Sequence, residues 1–278
     1  MQRKVWYAII DAGLSPSVTQ TWRRFVSREL RCNSCITGGV CCFTKEVFQM
    51  NESSIAIITA RGGSKRIPHK NIKDFCGKPI ITYSIEAALH SELFTEVMVS
   101  TDDEEIARIA RQAGAKVPFM RSSENAGDYA STDDVLMEVL NWYREQGKEF
   151  ETFCCLYPTA PFITEQKLQK AMQMLEKADS VMPVVAFSYP PQRCVVLNEQ
   201  GELRMKWPEY ARTRSQDLEP YYHDCGQFYC CRTKPFLEYG TTDLPHMVPM
   251  FVSELEVQDI DNPDDWEIAE LKYRKMIG

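Results

Sequence analysis

From Ser54 onward the sequence alternates short apolar runs with longer amphipathic stretches, and this alternation constrains the fold more than any other feature. Residues 55–60 read as a buried strand, followed by a Gly-rich basic loop and a helix over 79–90 with Pro79 in its first turn. The unit repeats as strand 96–100 with helix 103–113, strand 116–120 with helix 132–145, and strand 152–156 with helix 164–177. Residues 180–186 add a further strand. Strands separated by helices need crossovers, which set neighbouring strands parallel and cover the sheet on both faces. The expected class is therefore α/β, a mostly parallel Rossmann-like sheet.

Between 187 and 234 the alternation stops, and short strand-like pieces lie among turn signals such as Pro190-Pro191 and Gln200-Gly201. This reads as an arm inserted into the domain, a lid or an oligomer contact. Runs at 248–255 and 257–260 resume the sheet, and Pro263 opens a closing helix to 276. Residues 1–49 follow no such pattern; only 17–30, with Val18, Trp22, Phe25, Val26 and Leu30 at helical spacing, suggests a helix. That front carries seven basic and three acidic side chains, whereas the remainder carries 25 basic against 36 acidic. The expected organisation is an extension over 1–49, a possible start-site artefact ahead of Met50, and one domain over 50–278.

Composition excludes several classes. With 44% hydrophobic and 26% charged residues, the 278-residue chain is neither disordered nor repetitive. No run approaches the ~20 apolar residues of a membrane span, so no membrane partner is expected. A net charge of −7 argues against nucleic acid, and an anionic ligand would need a local basic pocket. Eleven cysteines without a signal-peptide pattern point to free thiols in the cytoplasm. Cys154-Cys155 and Cys230-Cys231 lie inside apolar runs, as small hydrophobes do. Cys32-x-x-Cys35 with Cys41-Cys42 has part of a zinc spacing, but adjacent ligands fit a tetrahedral site poorly.

Two constellations carry chemistry. The first is Ala60-Arg61-Gly62-Gly63-Ser64-Lys65-Arg66-Ile67-Pro68-His69-Lys70-Asn71, directly after the first strand. Glycines let backbone amides converge on an anion, and the basic side chains supply the charge a polyphosphate needs. The order Gly-Ser-Lys is not a Walker A motif, and three spaced glycines are absent. A solvated turn is the bland alternative, weakened by the loop's place at the carboxyl end of a parallel strand. The second is Asp259-Ile260-Asp261, where a strand would aim both carboxylates at one hard cation while Ile260 packs inward. Against this, Asp261 would merely cap the following helix. Asp103 suits a helix cap, and His223-Asp224 is a poor proton relay, because neighbours on a strand face opposite ways; His223 reads better as a polar sugar contact or as simply exposed.

As an ordered set, the loop, Gly77-Lys78-Pro79, Ser100-Thr101-Asp102, Pro158-Thr159-Ala160-Pro161 and Asp259-Ile260-Asp261 resemble the cytidylyltransferases that activate nonulosonic acids, the CMP-sialate synthetase family. The likeness spans residues 54–277. Tyr157 to Phe162, Arg214 to Pro220 and His223 to Tyr229 are most similar to the branch acting on pseudaminic acid, with Tyr157 and Ser215 where sialate enzymes typically have Gln and Arg. The resemblance implies a nucleotidyltransferase sheet and transfer of CMP from CTP to the sugar, releasing pyrophosphate. It implies that Arg61, Lys65 and Lys70 hold the triphosphate as catalytic groups, with Gly62, Gly63 and Ser64 in the same loop. Asn71, Arg121 and Thr132 would meet the cytidine. Tyr157, Gln216, Asp217, Gln227 and Tyr229 would face the sugar, and Asp259 and Asp261 would bind Mg2+. A homodimer, with the arm reaching its partner, is implied as well. CMP-neuraminate or CMP-legionaminate synthesis is the near alternative, and a nucleotide-sugar glycosyltransferase is the alternative from another class.

Overall fold

The computed structural model describes residues 53–127 and 129–278. The expected helix at 17–30 and the Cys32, Cys35, Cys41 and Cys42 group lie outside them. The chain divides into two units between Gln49 and Met50, and the second contains every described element. In chain order these are β1 (Ser54–Thr59), β2 (Asp74–Phe75), β3 (Lys78–Pro79), α1 (Ile81–His90), β4 (Glu96–Ser100), α2 (Glu104–Gln112), α3 (Thr132–Glu145), β5 (Thr152–Leu156) and α4 (Glu165–Leu175). There follow β6 (Ser180–Ala186), β7 (Val195–Leu197), β8 (Leu203–Met205), β9 (Tyr222–Asp224), β10 (Phe228–Arg232), α5 (Thr233–Tyr239), β11 (Met247–Phe251) and α6 (Pro263–Ile277).

The main sheet runs β11-β6-β10-β5-β1-β4, with β9 added beside β6. β1 pairs in parallel with β4 and β5, and β11 with β6, while β10 is antiparallel to both β5 and β6. Helices cover both faces, as the residues of β1 record. Ala56 and Ile58 pack with Ile85 of α1, Ile106 of α2 and Leu168 of α4, whereas Ile55 and Ile57 pack with Leu136 and Val139 of α3 and Phe236 of α5. A strand buried on both sides has no polar face, so β1 is a continuous apolar run. Each such isoleucine contributes about 1.5–3 kcal/mol on burial. A third cluster joins Ile67, Phe75, Ile80 and Tyr83 to Ile260 and to Trp266 and Ala269 of α6. Asn262 caps α6 in a capping box with Asp265, and Pro263 stands in its first turn.

Four expectations need correction. The helix expected at 79–90 starts later, because Gly77 turns the chain at φ 103 and Pro79 pairs with Asp74 in a β2–β3 hairpin. Residues 116–120 form no strand and touch the sheet through one parallel bridge, Met98 to Lys116; Pro118, with no N–H, cannot extend a ladder. Residues 257–260 are not a strand either. Side chains take up carbonyls there instead: Lys272 donates to Val257 O and Lys70 to Ile260 O, both at 2.7 Å, and Gln227 donates to the preceding Glu256 O at 2.6 Å. Finally, β10 falls inside the segment expected to be all arm, yet it is a central strand with Phe228, Cys230 and Cys231 fully buried.

Candidate active site

The basic loop leaves β1 at the carboxyl end of the parallel strands, where crossovers diverge and open α/β sheets bind ligands. Its first glycine is required by close approach: a Cβ on Gly62 would lie 2.8 Å from Asp103 Oδ2 and 2.9 Å from Asp103 Cβ, whereas one on Gly63 meets nothing within 4 Å. Asp103 is fixed in turn, since it caps α2 by accepting from the amides of Glu105 and Ile106. The Gly62 amide donates to Asp102 Oδ1 at 2.9 Å, and the Ser64 amide to Gly62 O at 2.9 Å. Asn71, 8% exposed, closes the loop by donating Nδ2 to Arg61 O at 2.8 Å. Ile67 anchors the middle in the cluster shared with Ile260.

This loop forms one wall of a cavity of about 510 Å³ to which Arg61, Ser64, Lys65, Arg66, Lys70 and Asn71 contribute. Arg121, Thr132 and Tyr157 line it as well, so the side chains expected at a nucleoside triphosphate lie around one space. Gly62 and Gly63 shape the loop without lining that space. Arg121 is buried, its Nε donating to Ser100 Oγ at 3.0 Å and Nη2 to Ser100 O at 2.6 Å. Burial lowers its pKa while Asp102 and Glu138 oppose the shift, and a guanidinium remains charged throughout. Thr132 opens α3 beside the capping Ser131, which brings the positive end of that helix to the cavity.

Asp259 and Asp261 flank Ile260, which is 1% exposed and inserted beside Ile67. That shared plug, not a strand, sets the carboxylates against the basic loop. Arg66 Nη2 lies 2.7 Å from Asp261 Oδ1, and Lys70 Nζ lies 4.0 Å from it. Desolvation, then the charge of Asp261, raises the Asp259 pKa, with Lys70 opposing. Burial lowers the Lys70 pKa, while Asp261 and Asp259 oppose that shift. Asp261 is not the helix cap, because Asn262 fills that role. Among the described residues no group of three or more His, Cys, Asp or Glu forms a self-sufficient metal site. Two mutually crowded carboxylates do fit a hard divalent ion that completes its shell with phosphate oxygens.

A second cavity of about 360 Å³ shares Thr132 and Tyr157 with the first and adds Asp133, Asp224, Tyr229, Thr242 and Asp243. The rings of Tyr157 and Tyr229 stand 5.6 Å apart at 68°. The Tyr229 hydroxyl donates to Asp224, so this carboxylate serves the tyrosine, while the His223 ring packs on Phe187 at 4.8 Å. Burial, then Tyr157 and Asp224, pushes the Tyr229 pKa up. Gln227 lines neither cavity; it is 2% exposed and donates to Glu256 O. Gln216 and Asp217 lie exposed in the turn Ser215–Asp217, where Asp217 pairs with Arg214 at 2.7 Å. Sequence reasoning missed Ser131, Asp133 and Thr242. Ser131 had a readable signal, the Ser-x-x-Asp of a capping box, whereas Thr242, whose Oγ1 donates to Asp133 Oδ1 at 3.0 Å, had none.

The chain is similar to known proteins in both sequence and fold. The family model described as Cytidylyltransferase matches residues 55–221. Pseudaminic acid cytidylyltransferase of Campylobacter jejuni is 41% identical over 223 residues, covering 80% of this chain and 96% of that protein. CMP-N,N'-diacetyllegionaminic acid synthase of Legionella pneumophila is 34% identical, covering 78% of this chain and 94% of its own. Among solved structures, CMP:2-keto-3-deoxy-manno-octonic acid synthetase complexed with CTP superimposes with a TM-score of 0.58 at 21% identity, covering 81% of this chain and 99% of that one. At that identity the likeness speaks for the fold alone, a mostly parallel sheet with helices on both faces. The sequence matches go further, and by them the chain belongs to the cytidylyltransferase family.

Proposed function

We propose that the chain transfers CMP from CTP to the anomeric hydroxyl of pseudaminic acid, releasing pyrophosphate. One observation carries this reading: a cavity walled by Arg61, Lys65, Arg66, Lys70 and Arg121 shares Thr132 and Tyr157 with a second cavity bordered by Asp133, Asp224 and Tyr229. The first suits a triphosphate in charge, and the second suits a polyhydroxylated ring in hydrogen-bonding groups. Arg61, Lys65 and Lys70 neutralise the triphosphate, and Lys65 answers the charge that moves to the departing pyrophosphate. The anomeric oxygen attacks the α-phosphorus in line as the bond to pyrophosphate breaks, a step that depends mainly on positioning. Asp259 and Asp261 would hold Mg2+, which when bound would neutralise phosphate charge. Asn71 and Arg121 orient the nucleotide, and the exposed Gln216 and Asp217 reach the sugar when the arm closes over it, whereas Gln227 stays buried beneath the site, bonded to Glu256 O.

The partner is a second copy of this chain, docked through the arm: the β7–β8 hairpin exposes Val195, Leu197 and Leu203 by 53%, 68% and 63%. Free thiols such as Cys76, Cys154 and Cys230 suit a reducing cytoplasm, where CTP is available. No helix among the described residues is long and apolar enough to cross a membrane.

The sugar is tested by pyrophosphate release with CTP, Mg2+ and equal, subsaturating pseudaminic, legionaminic or neuraminic acid. Tyr157 offers an aromatic face and one hydroxyl where an amide would select other substituents, so pseudaminic acid is expected to turn over fastest. Equal or faster turnover of neuraminic acid overturns the branch, and no pyrophosphate with any of the three overturns cytidylyl transfer. Release of a nucleotide from a nucleotide sugar would favour a glycosyltransferase.

A further inference from the structure

We propose that Arg66 is a resident counter-ion that guards the carboxylate pair against free metal and yields it only when the nucleotide arrives. The inference rests on the reading of Asp259 and Asp261 as metal ligands. Arg66 holds Asp261 at 2.7 Å, and Lys70 stands 4.0 Å from the same carboxylate while donating to Ile260 O. Two carboxylates facing two cations leave little net charge for a divalent ion to answer, so the ion must compete with Arg66 for Asp261. A triphosphate changes that balance, because its oxygens offer the guanidinium a more highly charged, bidentate partner.

The geometry allows such an exchange. Arg66 is also part of the wall of the triphosphate-sized cavity, so one side chain borders both the metal ligands and the phosphate space. Its side chain is 68% exposed, which leaves room to swing. The backbone next to each partner of the pair is held in place, since Ile67, beside Arg66, and Ile260, beside Asp261, are 3% and 1% exposed in one apolar cluster. Rotation of one side chain, with no loop movement, therefore exchanges Asp261 for phosphate. By linkage, metal and CTP then bind with positive coupling, each raising the affinity of the other by the same factor.

The test measures Mn2+ binding to the full chain by electron paramagnetic resonance, without sugar, in the presence and absence of CTP. Wild type is compared with Arg66→Gln, Arg66→Lys and Asp261→Asn. Arg66→Gln is expected to bind Mn2+ about fivefold more tightly without nucleotide, the scale of an exposed ion pair. Its coupling to CTP should shrink, and Arg66→Lys should restore both properties. Unchanged Mn2+ affinity and coupling in Arg66→Gln, with Asp261→Asn weakened, overturns the guard while the metal site stands. Unchanged binding in Asp261→Asn overturns the metal site itself and the guard with it. Matching melting temperatures for Arg66→Gln and wild type ensure that the difference reports the site.

Discussion

Gly62→Ala isolates what the close approach of loop and helix cap does for catalysis. The new Cβ would meet Asp103 Cβ at 2.9 Å, against the 3.4 Å at which ordinary contact begins, so about 0.5 Å must be recovered. Turning the carboxylate aside relieves the contact with Oδ2 but not the one with Cβ, and it surrenders the cap on α2, worth about 0.5–2 kcal/mol. For a domain of this size such a loss lowers the melting temperature by roughly 1–8 °C. If the loop moves instead, the bond from the Gly62 amide to Asp102 stretches and the basic side chains leave their positions. Misplacement on this scale costs about 10- to 100-fold in kcat/KM for CTP. Gly63→Ala is the internal control, because its Cβ enters open space and the protein should melt as wild type does. Thermal melts and pyrophosphate-release kinetics on both variants decide the matter. A Gly62→Ala protein that melts within a degree or so of wild type and turns over CTP normally would refute the argument.

Three further outcomes are expected. Asp259→Asn removes charge but little shape, so turnover should fall ~100-fold while the melting curve stays in place; normal turnover at limiting Mg2+ would sink the ligand role. Burial raises the Glu96 pKa, but hydrogen bonds from Lys148, Lys116 and Tyr143 outweigh it and hold the carboxyl below its ordinary 4.5. The resulting stability is present above pH 4.5 and lost as pH falls through the lower folded value, so denaturant melts of Glu96→Gln should show a flatter acid limb than wild type. A chain beginning at Met50 should melt cooperatively and release pyrophosphate at the full-length rate; a large drop in melting temperature would show that residues 1–49 support the domain.

Much of the fold was legible because local pattern and tertiary role coincide. The periods of α3 and β5 end where their caps and neighbours end them, and Thr132–Glu145 and Thr152–Leu156 match the reading residue for residue. The sequence was misleading where pairing is non-local. Nothing within residues 257–260 announces that side chains of Lys70 and Lys272 will take the carbonyls of Ile260 and Val257. Nothing near β10 says that the chain will return antiparallel between β5 and β6. The wall of the first cavity was readable because the loop's residues are consecutive and constrained by charge and glycine. The second cavity was not, since Asp133, Asp224 and Thr242 converge on it from three separate segments that no local period relates.

The return of β10 also sets an order of events during synthesis. Cys154 of β5 faces Cys230 of β10, 76 residues later in the chain. Until that second strand emerges, β5 has β1 on one flank and an open ladder of amides and carbonyls on the other, in a strand whose Phe153, Cys154, Cys155 and Leu156 are fully buried in the finished protein. An unprotected apolar edge of this kind is a template for pairing between chains. Nascent or truncated chains that stop inside the arm carry this edge exposed and should aggregate. Those that extend through Arg232 close it, so the arm must be traversed before the first half of the sheet is safe from its neighbours.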